Sequence, residues 1–599
     1  MKPDIVKVAA TVLSAGLLLG GCARPSTPSV VAPMAGKRVE GDRGMVAASH
    51  PDAAAAGATV LAQGGNAIDA FVATAFALSV TDVSQTGLGG GGAMTYYNAA
   101  SRTVEHLSFY PRTGSDPGWA RPDTSRGRAM GRAAATPGMV AGLLEAHGKW
   151  GTLPLAQVLA PAIRLARDGF IVSPLLARTI ERSRDKMEAD SLAMLRFMPN
   201  GQALRPGEKL VQPELAGTLE RIRDGGRDGF YTGPIAERLS AKVRARGGLI
   251  SVDDMRQYPV LPVRPLCTPW RGFTVIGAPP PMGGAAVLEM LQIADRAGIA
   301  DAGGFTAQPE AVAKMADAMR IAGADGNRWR GDPTSLRVPA RGASSAAYAT
   351  MRAGLVGGAL ADTMRAGDAA AFDTVRVSEG CTRFDPYPAQ PVTGRASGDA
   401  SMNASTRAWA STAALDEGEE GQSYTSHLSV VDARGNAVSA TTTVGVLFGS
   451  GVYTEGFWLN SSAANFDART RGTNRYANST MSPTLILQGN DVRLVIGAAG
   501  SQYIQPAITQ VTLRMLAFGE DPWTAIAAPR IHASANDRDV EVEPGFASEV
   551  YQALVTRGYR PESRVADITF GGVHAVYVGR DGRRIGVADP RRDGVAARQ

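Results

Sequence analysis

The chain has 599 residues, 62 basic against 56 acidic side chains, a net charge of +6 and a hydrophobic share of 44%. That apolar share suits a packed core and excludes a disordered chain, and the small charge excess, spread along the sequence without a basic stripe, excludes a nucleic-acid partner. The 3 cysteines are too few for a disulfide framework. The histidines, His50, His106, His147, His427, His532 and His574, stand singly without ligand spacing, so no metal site is expected.

In chain order, residues 1–22 carry two lysines, an apolar run from Val8 to Leu19 and then Leu19-Gly20-Gly21-Cys22. The run is too short for a permanent bilayer span, and the small residues before the cysteine suit a processing site, so this segment reads as a lipoprotein signal with Cys22 as the lipidated residue. The alternative is an ordinary secretory signal with an incidental cysteine. No acidic retention residue follows at Ala23, which points to an outer-membrane anchor facing the periplasm, with contact to the membrane through lipid only. Residues 23–43, rich in proline and serine, read as a tether.

Asp52 to Val80 reads as two helical pieces around Gly64-Gly65-Asn66, with alanine-rich apolar faces. The loop Gly87-Leu88-Gly89-Gly90-Gly91-Gly92 formally matches a dinucleotide fingerprint, which must follow a strand and open a helix. Here it follows a helical pattern and leads into the strand-like Ala93-Met94-Thr95-Tyr96-Tyr97. It is therefore assigned to close backbone packing, and no cofactor is expected. Ala141 to Arg167 and Glu310 to Ala322 are read as helical with core-facing stripes. Cys267 and Cys381 either pair in an oxidising compartment or remain as inert buried thiols; the second is favoured, since nothing in the sequence brings them together. From about residue 376 to 424 the composition turns to Gly, Ala, Ser, Pro and acidic residues without periodicity, which reads as a flexible segment.

That segment ends at Tyr424-Thr425-Ser426-His427, where a hairpin begins whose turn lies near Arg434-Gly435 and whose return strand carries Thr441-Thr442-Thr443. A threonine hydroxyl is a weak nucleophile, and one remedy is the residue's own free α-amine acting as base. Cutting the Tyr424–Thr425 bond would release an amine with a pKa of about 7.7 to 8.0 beside the Thr425 hydroxyl, near the value a general base needs. Self-cleavage would then switch the enzyme on.

Several motifs occur in a fixed order: Met45-Val46-Ala47-Ala48-Ser49-His50-Pro51, Gly64-Gly65-Asn66-Ala67-Ile68-Asp69-Ala70, the glycine loop, Pro137-Gly138-Met139, Thr425-Ser426-His427, Phe448-Gly449-Ser450-Gly451, Ser482-Pro483-Thr484, Arg530-Ile531-His532 and Asp589-Pro590-Arg591-Arg592-Asp593-Gly594. Together they resemble the γ-glutamyltranspeptidases, which are N-terminal-nucleophile hydrolases. The resemblance implies an α/β fold, an αββα four-layer sandwich made by a large subunit (44–424) and a small subunit (425–599) cut from one precursor. It places a second hydroxyl, Thr443, against the nucleophile Thr425 and an oxyanion hole at the amides of Gly500 and Ser501. The family has glycine at both of those positions. The implied activity is acyl transfer from a γ-glutamyl amide such as glutathione, through a Thr425 acyl-enzyme, to water or an amine.

The acyl pocket departs from the family pattern. Ungapped alignment of Leu107-Ser108-Phe109-Tyr110-Pro111-Arg112 puts Tyr110 where the family has its carboxylate-binding arginine, and Arg112 follows two residues later. Asn465 replaces an acidic residue that holds the substrate ammonium, Ser462 replaces a longer polar residue, and Gly445 replaces an asparagine. Ser479 and Thr480 keep the hydroxyl pair used on the carboxylate. Only a short stretch separates Asn465 from Ser479, which predicts an open pocket. Arg112, Ser462, Asn465, Ser479 and Thr480 are thus the expected substrate-binding residues. The departures suit a glutaryl- or cephalosporin-acylase-like amidase with the same mechanism. A lipid-anchored binding protein that has lost catalysis is a third reading. A serine hydrolase is disfavoured because no Gly-x-Ser-x-Gly elbow is present.

Overall fold

The computed structural model describes residues 33–121, 130–373, 381, 384, 424–467, 469, 471–568 and 570–599. The signal over 1–22 with Cys22, residues 23–32 of the tether, and the segment 376–423 apart from Cys381 and Phe384 lie outside the described residues.

Two seven-stranded sheets form the two inner layers. The first runs, edge to edge, Val595–Arg598, Met45–Ala48, Tyr424–Val431, Ala437–Gly445, Gly91–Asn98, Thr103–Phe109 and Leu261–Pro262. The second runs Arg38–Gly41, Arg584–Ala588, Gly572–Val578, Asp491–Ala499, Thr484–Gln488, Phe273–Gly277 and Leu266–Trp270. Neighbours in both are antiparallel. The facing surfaces meet through Met45, Tyr97, Val431, Leu485, Val495 and Val576. Each such fully buried aliphatic side chain contributes roughly 1.5–3 kcal/mol relative to exposure. Because helices cover the outer faces, the strand Tyr424–Val431 is buried on both sides and shows no polar alternation. The result is the expected αββα layering.

The helices form where the sequence signals them. Pro51–Ala62 and Ala67–Thr81 flank the Gly64-Gly65 break, as expected, and the second is buried along its whole length. Its start is fixed by a capping box: Asn66 Oδ1 accepts from the amides of Ile68 and Asp69, and Asp69 Oδ2 accepts from the Asn66 amide at 2.9 Å. Met139–Trp150 and Leu155–Asp168 pack on the same side, while Gly284–Arg296, Pro309–Trp329 and Ile504–Thr512 cover the other sheet.

Two expectations are corrected. The tether does not extend to residue 43, because Arg38–Gly41 pairs with Arg584–Ala588 at a sheet edge, and Lys37 is buried with Nζ donating to the Asp589 and Gly594 carbonyls at 3.2 and 2.6 Å. An edge strand joined mainly by backbone bonds leaves little side-chain pattern to read. Cys267 and Cys381 are not separate thiols but a disulfide, with Cα atoms 5.7 Å apart across a sequence separation of 114. Cys267 lies on the edge strand Leu266–Trp270, and the chain returns to that edge with Phe384 buried in the inter-sheet core.

Candidate active site

The hairpin is closed by Asp432, whose Oδ1 accepts from the amides of Arg434 and Asn436 at 2.8 and 3.0 Å, while Gly435 adopts φ +85°. From there the pairing is regular, Val431 with Ala437 through Ser426 with Thr442, and then shifts so that Tyr424 pairs with Gly445. Thr425 therefore faces both Thr443 and Val444. This is a β-bulge, a device that re-aims side chains next to active sites. Here it turns the Thr443 hydroxyl onto the bond expected to be cut: Oγ1 donates to the Tyr424 carbonyl and accepts from the Gly445 amide at 2.8 Å. Thr425 and Thr443 are each only 3% exposed.

The glycine loop packs directly on this strand. A Cβ on Gly90 would lie 2.2 Å from the Thr443 carbonyl oxygen, and one on Gly92 would lie 2.5 Å from that of Thr441, so only glycine permits the approach. Gly445 is similarly confined, with φ +96° and the Ser461 hydroxyl 2.2 Å from where a Cβ would stand. Just before the loop, Asp82 ends the helix Ala67–Thr81 and accepts from Ser426 Oγ and from Gln85 Nε2 at 2.7 Å. Burial pushes the Asp82 carboxyl up to about 7, against the opposing pull of Ser426, Arg592 and Gln85.

The corner after Asp491–Ala499 carries the expected oxyanion amides. Gly500 has φ +129°, and Ser501, with φ +52°, opens the 3-10 turn Ser501–Tyr503 that leads into Ile504–Thr512. Amides at such a corner have no intrahelical partner and remain available to an anion. A serine in the left-handed region costs on the order of 1–3 kcal/mol unless its surroundings hold it. Thr480 supplies a brace, its Oγ1 donating to the Ser501 carbonyl at 2.8 Å. Arg592 ties the corner to the nucleophile. Its Nη1 reaches the Gln85 side chain and the Thr425 carbonyl, the latter at 3.4 Å, and its stem lies against Gly572, the cross-strand partner of Ala499.

Tyr110 is the hub of a second polar cluster. Asn465 Nδ2 donates to Tyr110 Oη at 3.1 Å, and the Ser479 and Ser462 hydroxyls also face that oxygen. Burial raises the Tyr110 pKa, while Asn465, Ser479, Ser462 and the charge of Arg330 oppose the rise. Backbone bonds hold the cluster: Ala477 donates to the Pro111 carbonyl at 3.1 Å, Asn478 to that of Asn465 at 2.8 Å, and Ser479 to that of Pro281 at 3.0 Å. Arg112, the expected carboxylate-binding residue, lies two residues after Tyr110. Its backbone bridges Thr136 and Tyr476, and its guanidinium lies over the Tyr476 ring, 5.5 Å from the centroid. Sequence reasoning placed Tyr110 at the arginine's position without giving it a role, and it did not consider Arg330, whose charge acts on Tyr110.

His427 is structural in its setting, buried between Thr441 Oγ1 at 2.9 Å and Ser429 Oγ at 3.1 Å, with burial holding its pKa well below the ordinary value. The Asp589-Pro590-Arg591-Arg592 motif forms a buried charge network: Asp589 Oδ2 accepts from Arg530 Nη2 at 2.7 Å and from the Val573 amide at 2.8 Å. Among the described residues no group of His, Cys, Asp and Glu is arranged to hold a metal ion.

Comparison with known proteins agrees with this architecture. The chain is 30% identical to the glutathione hydrolase proenzyme of Escherichia coli (strain K12) over 624 residues, covering 99% of this chain and 98% of that protein. It is 32% identical to the acylase ACY 1 proenzyme of Pseudomonas sp. (strain SE83) over 581 residues, covering 93% of this chain and 94% of that protein. Among solved structures, cephalosporin acylase from Bacillus halodurans superposes with a TM-score of 0.77 at 25% identity, covering 96% of this chain and 99% of that one. With residues 53–599 matching the gamma-glutamyltranspeptidase family model, the chain belongs to the gamma-glutamyltranspeptidase family.

Proposed function

We propose that this protein is a self-cleaving amide acyl-transfer enzyme with Thr425 as its nucleophile. The observation that carries the reading is the Thr443 hydroxyl donating to the Tyr424 carbonyl at the bulge. In maturation Thr425 Oγ1 attacks that carbonyl carbon, and the Thr443 hydroxyl stabilises the developing oxyanion. The Tyr424–Thr425 C–N bond then breaks, leaving an ester on Thr425 and a free α-amine. Water hydrolyses the ester, releasing the Tyr424 carboxylate. In the mature site the amine takes the Thr425 hydroxyl proton, the hydroxyl attacks the substrate amide, and the amides of Gly500 and Ser501 receive the oxyanion. The leaving amine departs protonated, and water or a second amine takes the acyl group from Thr425.

The pocket chemistry favours an acyl group without an α-ammonium. Asn465 is neutral and spends its Nδ2 on Tyr110, so no carboxylate stands there to pair with an ammonium. This supports an acylase-like amidase acting on glutaryl-type amides. The γ-glutamyl reading is the second, supported by 30% identity across the glutathione hydrolase relative. Intact mass of the parent beside Thr425→Ala tests the mechanism: two fragments meeting at Tyr424 and Thr425 in the parent and a whole variant are expected, and an uncut parent refutes it. Relative turnover of glutaryl and γ-glutamyl anilides then decides between the acyl groups.

We further propose that Cys22 is lipidated and the enzyme is held at the outer membrane facing the periplasm. The Cys267–Cys381 disulfide supports an oxidising compartment. Fatty-acid labelling that is absent from Cys22→Ser is the expected result, and unchanged labelling refutes the anchor.

A further inference from the structure

We propose that Arg330 is the cation that binds the far end of the acyl group, selecting acyl chains that end in a carboxylate. The inference rests on the acylase-like reading and names the residue that reading lacks, since Arg112 is stacked on Tyr476 and Asn465 carries no charge.

Arg330 caps the C-terminal end of the helix Pro309–Trp329, its amide donating to the Gly326 carbonyl at 3.0 Å. The turn it opens is pinned to the pocket wall, because Asp332 Oδ2 accepts from the Tyr476 amide at 3.1 Å. Ala477 and Asn478 then bond to Pro111 and Asn465, which puts Arg330 in one framework with Tyr110 and Asn465. The Arg330 side chain is partly buried, and its Nε, like that of Arg112, is enclosed with no hydrogen-bond partner; Arg330 differs in lacking an aromatic face over its guanidinium among the described residues. An enclosed guanidinium donor without an acceptor is costly to maintain, and it is matched by a ligand that brings an oxyanion.

The acidic group that most favours its charge is Asp467, which already gives an oxygen to Arg469 Nε at 2.9 Å. The other is the Tyr110 phenol, held at the hub by Asn465. Burial pushes the Arg330 pKa down to about 10, so the group stays cationic at neutral pH. Arg330 also borders a small cavity with Pro280, Met282, Gly283 and Trp329, whose lining includes the buried acids Glu289 and Asp325, the latter paired with Arg352. The Pro280–Gly283 loop forming that wall is bonded to Ser479 and Met481, next to Thr480 and its contact with Ser501. A path of polar groups thus leads from the oxyanion corner through Thr480 and Ser479 to Tyr110 and Arg330. Tyr110 and Ser479 would donate to one carboxylate oxygen and Arg330 would supply the charge, which a guanidinium delivers in a geometry matched to carboxylates.

The test uses the full self-cleaved enzyme, with parent, Arg330→Met and Arg330→Lys compared on glutaryl anilide and on its uncharged counterpart, pentanoyl anilide. The expected result is a KM for the glutaryl substrate raised about tenfold or more in Arg330→Met with kcat nearly unchanged, partial recovery in Arg330→Lys, and no change on pentanoyl anilide. Equal losses on both substrates, or none on the glutaryl substrate, overturn the assignment. Glutarate as competitive inhibitor of the parent gives a measurement independent of variant folding: inhibition by glutarate but not by pentanoate is expected, and equal inhibition by both overturns the proposal. A parent that cleaves γ-glutamyl but not glutaryl anilide refutes the acylase-like reading itself, an outcome distinct from failure at Arg330.

Discussion

Replacing Thr443 by valine keeps the shape of the side chain and removes one hydroxyl. That hydroxyl makes two bonds, donating to the Tyr424 carbonyl and accepting from the Gly445 amide at 2.8 Å. Loss of the donor removes stabilisation of the oxyanion formed when Thr425 attacks; removing one such donor costs about 2.7–4 kcal/mol, or roughly 100- to 1000-fold in rate. Loss of the acceptor strands a buried amide, which destabilises the folded chain by about 1–3 kcal/mol. Thr443→Ser retains the hydroxyl and should mature at nearly the parent rate. Purified precursor is followed by denaturing intact mass over time, with the melting temperature recorded in parallel to separate the two effects. Self-cleavage of Thr443→Val within threefold of the parent would refute the claim that this hydroxyl activates the scissile carbonyl.

Asn465→Asp should place a carboxylate beside Tyr110 and move the ratio of γ-glutamyl to glutaryl turnover toward γ-glutamyl by about tenfold, the scale of one charge-assisted hydrogen bond; an unmoved ratio counts against Asn465 as a selector. Burial raises the Asp82 carboxyl from 3.8 to about 7, so the folded state takes up a proton that the unfolded state gives up. Its contribution is fully present below about pH 4, declines between there and about 7, and is then lost. Asp82→Asn should therefore melt higher than the parent at neutral pH, with the gap closing on acidification toward pH 4; a pH-independent gap refutes the assignment. Removing the disulfide by Cys267→Ser should lower stability by about 2–4 kcal/mol, given the long loop it closes, as read from denaturant midpoints with and without reductant.

Much of this protein is written locally. The helices around Gly64-Gly65 follow from alanine-rich faces and the Asn66–Asp69 box, and the hairpin turn follows from Asp432 and Gly435, because caps and turns are made by residues a few positions apart. The packing role of the glycine loop was also legible, since it followed a helix and opened a strand. The ordered motifs carried the family and the layered fold. Where long-range packing chose among alternatives, the sequence was silent. Two residues, Cys267 and Cys381, meet only because the chain returns to a sheet edge, and Arg38–Gly41 becomes a strand only because Arg584–Ala588 offers unpaired backbone. The bulge at Thr425 arises from a one-residue mismatch between two strands, a quantity that neither strand contains alone. Arg112 and Arg330 are both arginines near pocket segments. Only the tertiary structure separates them, stacking the first on Tyr476 and bringing the charge of the second to bear on Tyr110, because electrostatic influence depends on distance and burial rather than on order along the chain.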